Sequence, residues 1–292
     1  MVAVSLQVRQ AVEADQQQIA HLMFFEARVH RHLDWRAPLD WLGSPHYWVL
    51  EEDGRILAAL ACPQDPPGVA WIRLFVCASH LAGPEAWSPL WATARAEVAS
   101  AHPIVAAIAL QPWFERILTA SDFSLYQTIL MFEWNDQSFT PRPLPRGVRI
   151  RRMQPNDLPS VAAVDGAAFE PLWCNSFEAL QKAYSQALLA TVAETDEGLV
   201  GYQLSTENPL GAHLARLAVR PEAQGQGIGA ALVGDLMAHT RERGRIRITL
   251  NTQGNNQSSQ RLYERLGFVR TGEQYPVYIT QPGTAQPGEV YA

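Results

Sequence analysis

The sequence has little cysteine and almost no lysine: Cys62, Cys77 and Cys174 are its three cysteines, and Lys182 is its single lysine. Three widely spaced cysteines without a CxxC pair exclude a disulfide framework and a structural zinc site, and no metal is called for. The scarcity of lysine carries no functional implication. No apolar run reaches membrane-spanning length, and the opening residues MVAVSLQVRQAVEAD lack a basic stretch leading into a long apolar one. A soluble, cytoplasmic protein without a membrane partner is expected. Positive charge is not in excess either. The net charge of -6 divides into 10 basic and 15 acidic residues up to Arg146, and 13 and 14 after it. Neither half is basic enough for a nucleic-acid surface.

Apolar residues make up 47% of the chain and charged ones 18%, enough for ordinary packed cores. At 292 residues the chain exceeds the usual single-domain size, so two domains are expected. The most informative stretch is residues 214–243, LARLAVRPEAQGQGIGAALVGDLMAHTRER. Leu214, Leu217 and Val219 predict a short strand that Arg220 and Pro221 end, and an amphipathic helix is predicted from about Ile228. Between them lie Gln224, Gly225, Gln226, Gly227, Ile228 and Gly229. Glycines at a strand-to-helix turn let the backbone approach a ligand, and the first NH groups of a helix have no internal partner, so such a turn favours an anion. The dinucleotide fingerprint GxGxxG is excluded because the glycines fall as GxGxG, and a Walker turn is excluded because Ile228 and Gly229 stand where Lys and Ser or Thr are needed.

This stretch resembles the pyrophosphate turn of the GCN5-related N-acetyltransferases (GNAT superfamily), Q or R, two residues, G, one residue, G or A, through Gln224, Gly227 and Gly229. A second stretch, LNTQGNNQSSQRLYERLGFVRTGE from Leu250, resembles the other signature of the family, an Asn followed by a helix with LYxxxGF. Asn256, Leu262, Tyr263, Gly267 and Phe268 match it. The resemblance covers about 147–280 well and 6–135 weakly.

A long-period repeat explains the weak half. VRQAVEAD (8–15) matches IRRMQPND (150–157) at a shift of 142, WIRLFV (71–76) matches LARLAV (214–219) at 143, and FERILTASDF, ending at Phe123, matches RLYERLGF, ending at Phe268, at 145. Each copy reads as strand, one or two helices (around 15–30 and 157–189), a hairpin (turning at Asp53-Gly54 and at 195–198), the quoted strand, a long helix, a strand (104–110; 246–252), a final helix and last strands. The expected fold is α/β, a mixed central sheet flanked by helices, as two tandem acyl-CoA N-acyltransferase-like domains. They are placed at 1–135, degenerate, and 148–280, catalytic, with a Pro-rich linker at 136–147 and a loose tail at 281–292. At the shift of 143, Pro84 replaces Gly227 and has no NH to give, while Glu85 puts negative charge where phosphates would sit. Leu118 stands for Tyr263. The first copy should bind no pyrophosphate in this way.

The resemblance implies acetyl coenzyme A as cofactor and an amine, on a small molecule or a peptide, as acceptor. It also implies that Leu217, Ala218 and Val219 pair with the pantetheine arm, that backbone NH groups from Gln224 to Ala230 hold the pyrophosphate, and that an NH near Ala218 polarises the thioester carbonyl. Asn256 would hold the cofactor near the last helix, and Tyr263 would protonate the departing thiolate. An alkylamine with a pKa near ~10 must lose a proton before attack, and Glu207, His213 and Glu194 are the candidate bases, Glu207 and His213 ranking first. Arg220 or Arg261 would supply charge to the turn. Phe169, Trp173 and Phe177, with Tyr275 opposite, fall on the expected acceptor side, and Glu170 and Glu207 suit a cationic acceptor. The alternative function is a non-catalytic acyl-CoA-binding sensor, which keeps the glycine turn but needs no Tyr263. Monomer and homodimer both stay open.

Overall fold

A computed structural model describes residues 6–99, 104–135, 144–208 and 211–281. The expected linker falls largely on 136–143 and the expected tail on 282–292, both outside the described residues.

The first half forms β1 (Gln7–Gln10), α1 (Gln16–Phe25), β2 (Arg28–Arg31), β3 (Tyr47–Glu52), β4 (Arg55–Ala61), β5 (Val69–Trp71), β6 (Leu74–Cys77), α2 (Gly83–Ala99), β7 (Ile104–Ile108), α3 (Pro112–Thr119) and β8 (Ser124–Trp134). Its sheet runs β1-β3-β4-β6-β2. Asp53 (φ 47°) and Gly54 (φ 78°) make the β3–β4 turn, the left-handed pair a two-residue hairpin needs. Two expectations are corrected. WIRLFV is not one strand but two, β5 beside β7 and β6 beside β4, with Arg73 buried at the break and bonded at 2.6 Å to Asp34. Past α1, where more helix was expected, β2 pairs with β6 instead, from Arg28 opposite Cys77 to Arg31 opposite Leu74.

The second half forms β9 (Arg149–Arg152), α4 (Leu158–Ala168), α5 (Phe177–Gln186), β10 (Leu189–Thr195), β11 (Gly198–Asn208), β12 (Gly211–Val219), α6 (Ile228–Glu242), β13 (Ile248–Gln253), α7 (Gln257–Arg265) and β14 (Val269–Thr280). The strands run β8-β13-β12-β11-β10-β9, and all neighbours are antiparallel except β12 and β13. A core of Val233, Leu236 and Met237 from α6, Leu214, Ile248 and Leu250 from the strands, and Tyr263, Leu266 and Phe268 lies on one face of this sheet. Ser176 caps α5 by accepting from the Ala179 NH, and Asn256 caps α7 by accepting from the Ser259 NH at 3.0 Å.

The described residues divide into two compact units, drawn from 1–126 with 276–292 and from 127–275. These boundaries differ from 1–135 and 148–280 because two strands change unit along their length. From Ile129 on, β8 pairs with β13, and from Val277 on, β14 pairs with β7, so each unit takes an edge-covering strand from the other half.

The duplication is visible in bonds as well as in order. Arg9 holds Asp15 and Glu51 in the first unit; Arg151 holds Asp157 and Glu194 in the second. In both, the aspartate also accepts from the backbone NH three residues before it, Val12 at 2.9 Å and Gln154 at 2.7 Å, closing the turn that starts the first helix.

Candidate functional site

Strands β12 and β13 pair only from Ala212 to Leu214, opposite Ile248 to Leu250. Beyond that point β13 stays with β8, Thr252 opposite Leu130, while β12 stays with β11, Ala218 opposite Tyr202. The two parallel strands therefore part, and one edge of β12 is left facing a groove. The backbone alternation fixes which groups face it. The Arg220 NH donates to Val200 in β11 at 2.8 Å, so the NH of Ala218, two residues earlier, points to β11 as well. The groups aimed into the gap are those of Leu217 and Val219. A bulge between Leu204 and Ser205 leaves Ala215 unmatched just before them, the usual device by which a strand is turned at a site.

The groove has a volume of about 640 Å³ and follows this edge to the start of α6. Its wall is Leu217, Ala218 and Val219; its floor is Gln224, Gly225, Gly227, Ile228, Gly229 and Ala230; its other side is Asn256, Ser258, Ser259, Arg261, Leu262, Arg265 and Leu266 from α7 and its ends. Gly227 caps α6 at φ 87°, a left-handed conformation that favours glycine, and the first helical bond runs from Ala231 to Gly227, leaving the preceding NH groups without helical partners. Gly229 is small for another reason: a Cβ there would lie 3.2 Å from Leu262, where α6 and α7 meet. Gln226 lies in the turn but is absent from the groove lining, its side chain donating to Glu222 at 3.4 Å.

Gln224 uses its carboxamide to donate to the Val219 carbonyl at 3.0 Å, so its side chain closes the strand-to-helix turn. Arg220 is engaged with the Leu199 carbonyl at 3.0 Å, whereas Arg261 and Arg265 line the groove. Tyr263 lies behind this lining, 5% exposed, against Phe132 and Phe268. Burial holds its hydroxyl well above its ordinary pKa, opposed by a hydrogen bond with Ser259, which does line the groove.

Glu207 and His213 lie elsewhere. Glu207 pairs across the ladder with Ala212 and is bound by Arg245 at 2.7 Å, beside the C-terminal end of α6. His213 sits where β12 and β13 are still joined, its Nδ1 2.9 Å from Thr249 Oγ1, and burial lowers its pKa. At ~3.3 Å per residue it is ~13 Å along the strand from Leu217. Glu194 is held by Arg149 and Arg151. None of the three is among the groove-lining residues, which include no carboxylate or histidine.

Residues that sequence reasoning missed complete the site. Ser258 and Arg265 are two of them; with Arg261 and Leu262, already singled out, they recur at the three- and four-residue spacing of one helix face, a signal that could have been read from Asn256 onward. Asp165 of α4 is fully buried and takes two bonds of 2.8 Å from Arg216 of β12, a hydroxyl bond of 2.5 Å from Tyr202 and the Asn175 NH at 2.8 Å. Arg216 also donates to the Trp173 carbonyl at 2.7 Å, and its guanidinium lies 3.6 Å from the centre of the Phe169 ring. Phe169 and Ala168 line the groove, while Phe177 is 41% exposed at the start of α5.

Known proteins resemble this chain in sequence and in fold. Residues 158–268 match the sequence profile described as the acetyltransferase (GNAT) family. A mycothiol acetyltransferase of Saccharomonospora viridis is 32% identical over 158 residues, 46% of this chain and 51% of that protein. The putative [ribosomal protein bS18]-alanine N-acetyltransferase of Bacillus subtilis is 28% identical over 126 residues, 42% of this chain and 82% of that protein. This chain spans about half the length of the mycothiol acetyltransferases it matches. Among solved structures, a tandem GNAT protein from the clavulanic acid biosynthesis pathway superposes with a TM-score of 0.64 at 16% identity, over 97% of this chain and all of that one. A GCN5-related N-acetyltransferase from Sphaerobacter thermophilus gives 0.62 at 19%, over 96% and 98%.

Proposed function

From the premise that this chain belongs to the GNAT superfamily, we propose that its second unit transfers an acetyl group from acetyl coenzyme A to a primary amine of a small molecule or peptide. The observation that carries the reading is the parting of β12 from β13 directly before the glycine turn. It leaves an extended backbone edge and a helix N-terminus in one groove, a fit for a long ligand with a peptide-like arm and a phosphate group.

When bound, the cofactor supplies an activated acyl thioester. The NH groups of Leu217 and Val219 would pair with the arm and donate to the acyl oxygen, and those of residues 225–230 would bind the pyrophosphate. Asn256, Arg261 and Arg265 would fix the remainder along α7. Tyr263, protonated at neutral pH, would pass its proton through Ser259 to the departing thiolate, and the proton given up by the attacking amine would restore the phenol. The relatives named for mycothiol and for a ribosomal-protein alanine support keeping both acceptor classes, small molecule and peptide terminus, in this reading.

One observation favours a second reading, a non-catalytic acyl-CoA sensor: no carboxylate or histidine lines the groove. Following coenzyme A release with a thiol reagent, over polyamines, amino acids, aminoglycosides and short peptides, separates the two. Release dependent on one amine identifies the enzyme and its acceptor; binding without release with any amine favours the sensor. In the enzyme, Tyr263→Phe should lower kcat by ~10²-fold while leaving the cofactor Kd nearly unchanged. A variant with full turnover removes Tyr263 from the mechanism.

A further inference from the structure

Resting on the acyl-CoA reading of the groove, we propose that Phe169 is the residue that limits the length of the acyl group, and that Arg216 with Asp165 positions it. The groove has two distinguishable ends. Val219 leads into the glycine turn, the phosphate end, so the acyl group must lie towards the opposite end of the same strand edge, at Leu217 and beyond. Arg216 is the residue beyond Leu217, and alternation turns its side chain away from the α6 side that Leu217 and Val219 face. On that side its guanidinium carries the Phe169 ring at 3.6 Å.

The ring has little freedom. Its support is a planar cation tied by two bonds to a carboxylate that is itself fully buried, and by a third bond to the Trp173 carbonyl. Asp165 in turn holds the Asn175 NH, and Cys174 Sγ reaches the Phe169 carbonyl at 3.2 Å, so both ends of the segment carrying Phe169 are fixed. A charged pair enclosed in this way costs desolvation, and a hydrophobic pair could hold α4 on β12 without that cost. Its geometric result is a ring clamped against the acyl end of the groove. A rigid wall of this kind discriminates between acyl chains differing by two methylenes.

The test is titration calorimetry of the full chain with coenzyme A, acetyl coenzyme A and butyryl coenzyme A, which needs no acceptor. Wild type should bind the butyryl form ~10-fold or more weakly than the acetyl form, and Phe169→Ala should bring the two within ~2-fold. Phe169→Leu, which keeps more of the packing, should fall between and serves if the alanine variant does not fold. Arg216→Lys retains the charge but not the planar stack or the paired bonds, and should move the ratio in the same direction as Phe169→Leu. A wild-type ratio near one, or a ratio unchanged in the folded Phe169 variants, overturns the inference alone. An unchanged ratio in Arg216→Lys overturns the positioning part. Failure of wild type to bind coenzyme A at all overturns both this inference and the reading beneath it.

Discussion

The same strand edge is open in one copy of the fold and filled in the other. In the second unit, β12 from Leu217 to Val219 faces a groove. At the shift of 143 the matching segment of the first unit is β6, Leu74 to Val76, and there the edge away from β4 is taken by the chain's own β2, from Arg31 to Val29. The helix start differs in the same sense. Gly227 caps α6 and leaves its first NH groups bare, whereas Glu85 at the start of α2 accepts from the Ala82 NH at 3.3 Å, and Arg28 of β2 donates to the Leu81 carbonyl at 3.0 Å. A strand stands where an extended ligand would lie, and a carboxylate stands where a phosphate would. The first copy has kept the architecture of a ligand site and satisfied it internally, which is why it can be stable without a ligand while the second leaves backbone donors for one.

Exchanging the residues that distinguish the two turns should produce the largest effect. Gly227→Pro carries the first copy's Pro84 into the second, where the ring cannot adopt φ 87° and removes an NH. Coenzyme A affinity, measured by calorimetry, should fall by ~100-fold or more, equivalent to about 3 kcal/mol. The reverse change, Pro84→Gly with Glu85→Gln, should leave the stoichiometry at one cofactor per chain because β2 still fills the edge. Two cofactors bound by that variant would mean that the turn, and not the strand, decides the difference.

The filling strand carries its own pH dependence. His30 of β2 is 2% exposed, lies 3.9 Å from the Phe114 ring and donates to the Ile72 carbonyl at 3.2 Å; burial pushes its imidazole down to about 4. Its folded value is below its unfolded value, ~6.5. Between those values the unfolded chain binds more protons, so the stability of this region is full above ~6.5 and declines as pH falls towards the folded value. Hydrogen exchange of β2 and β6 amides should show protection falling by at least about 2 kcal/mol from pH 7.5 to 5, with buried His32 just past β2 adding a decline of the same sign, and His30→Gln should make the slope shallower. An unaltered slope in the variant would assign the dependence to other groups.

How much of this was legible beforehand depends on how local each feature is. The turn from Val219 to Gly229 and the helix from Asn256 to Phe268 are contiguous, with glycines whose φ values or close approach leave few substitutes, and they stood out in the sequence. The hairpins at Asp53-Gly54 and 195–198 are equally local. The strand exchange pairs residues more than a hundred positions apart, Ile248 with Trp134 and Val277 with Ile108, and no short pattern encodes it. RVHR has no clear alternation to mark β2 as a strand; its partner β6 does that. Asp165 and Arg216, 51 residues apart, read separately as an ordinary helix polar residue and an ordinary strand cation. Glu207 and His213 followed from strand position alone, and the arginines that engage Glu207 come from the loop after α6.

The smallest effect tests whether the two copies are built alike where they have not diverged. Arg9–Asp15–Glu51 and Arg151–Asp157–Glu194 make the same bonds, at 2.7 and 2.6 Å for the arginine–aspartate contacts. Hydrogen bonding to the arginine is the main cause that lowers each aspartate's pKa, with the backbone NH of the turn adding to it. A depressed folded pKa gives stability that is present above the unfolded value, ~3.9, and lost as pH falls through the folded one. Both arginines are about one-third exposed, so solvent screening reduces the contribution and each pair is worth about 1 kcal/mol. Asp15→Asn and Asp157→Asn should therefore each lower Tm at pH 7 by only ~2–4 °C, and the deficit should shrink as pH falls below ~3.9 towards the depressed folded pKa, where the wild-type carboxylates begin to take up protons as well. Equal losses would mean that the duplicated helix start contributes alike in both units. A loss confined to Asp157→Asn would show that the first unit, with its edge and helix start already satisfied from within, no longer depends on this inherited contact.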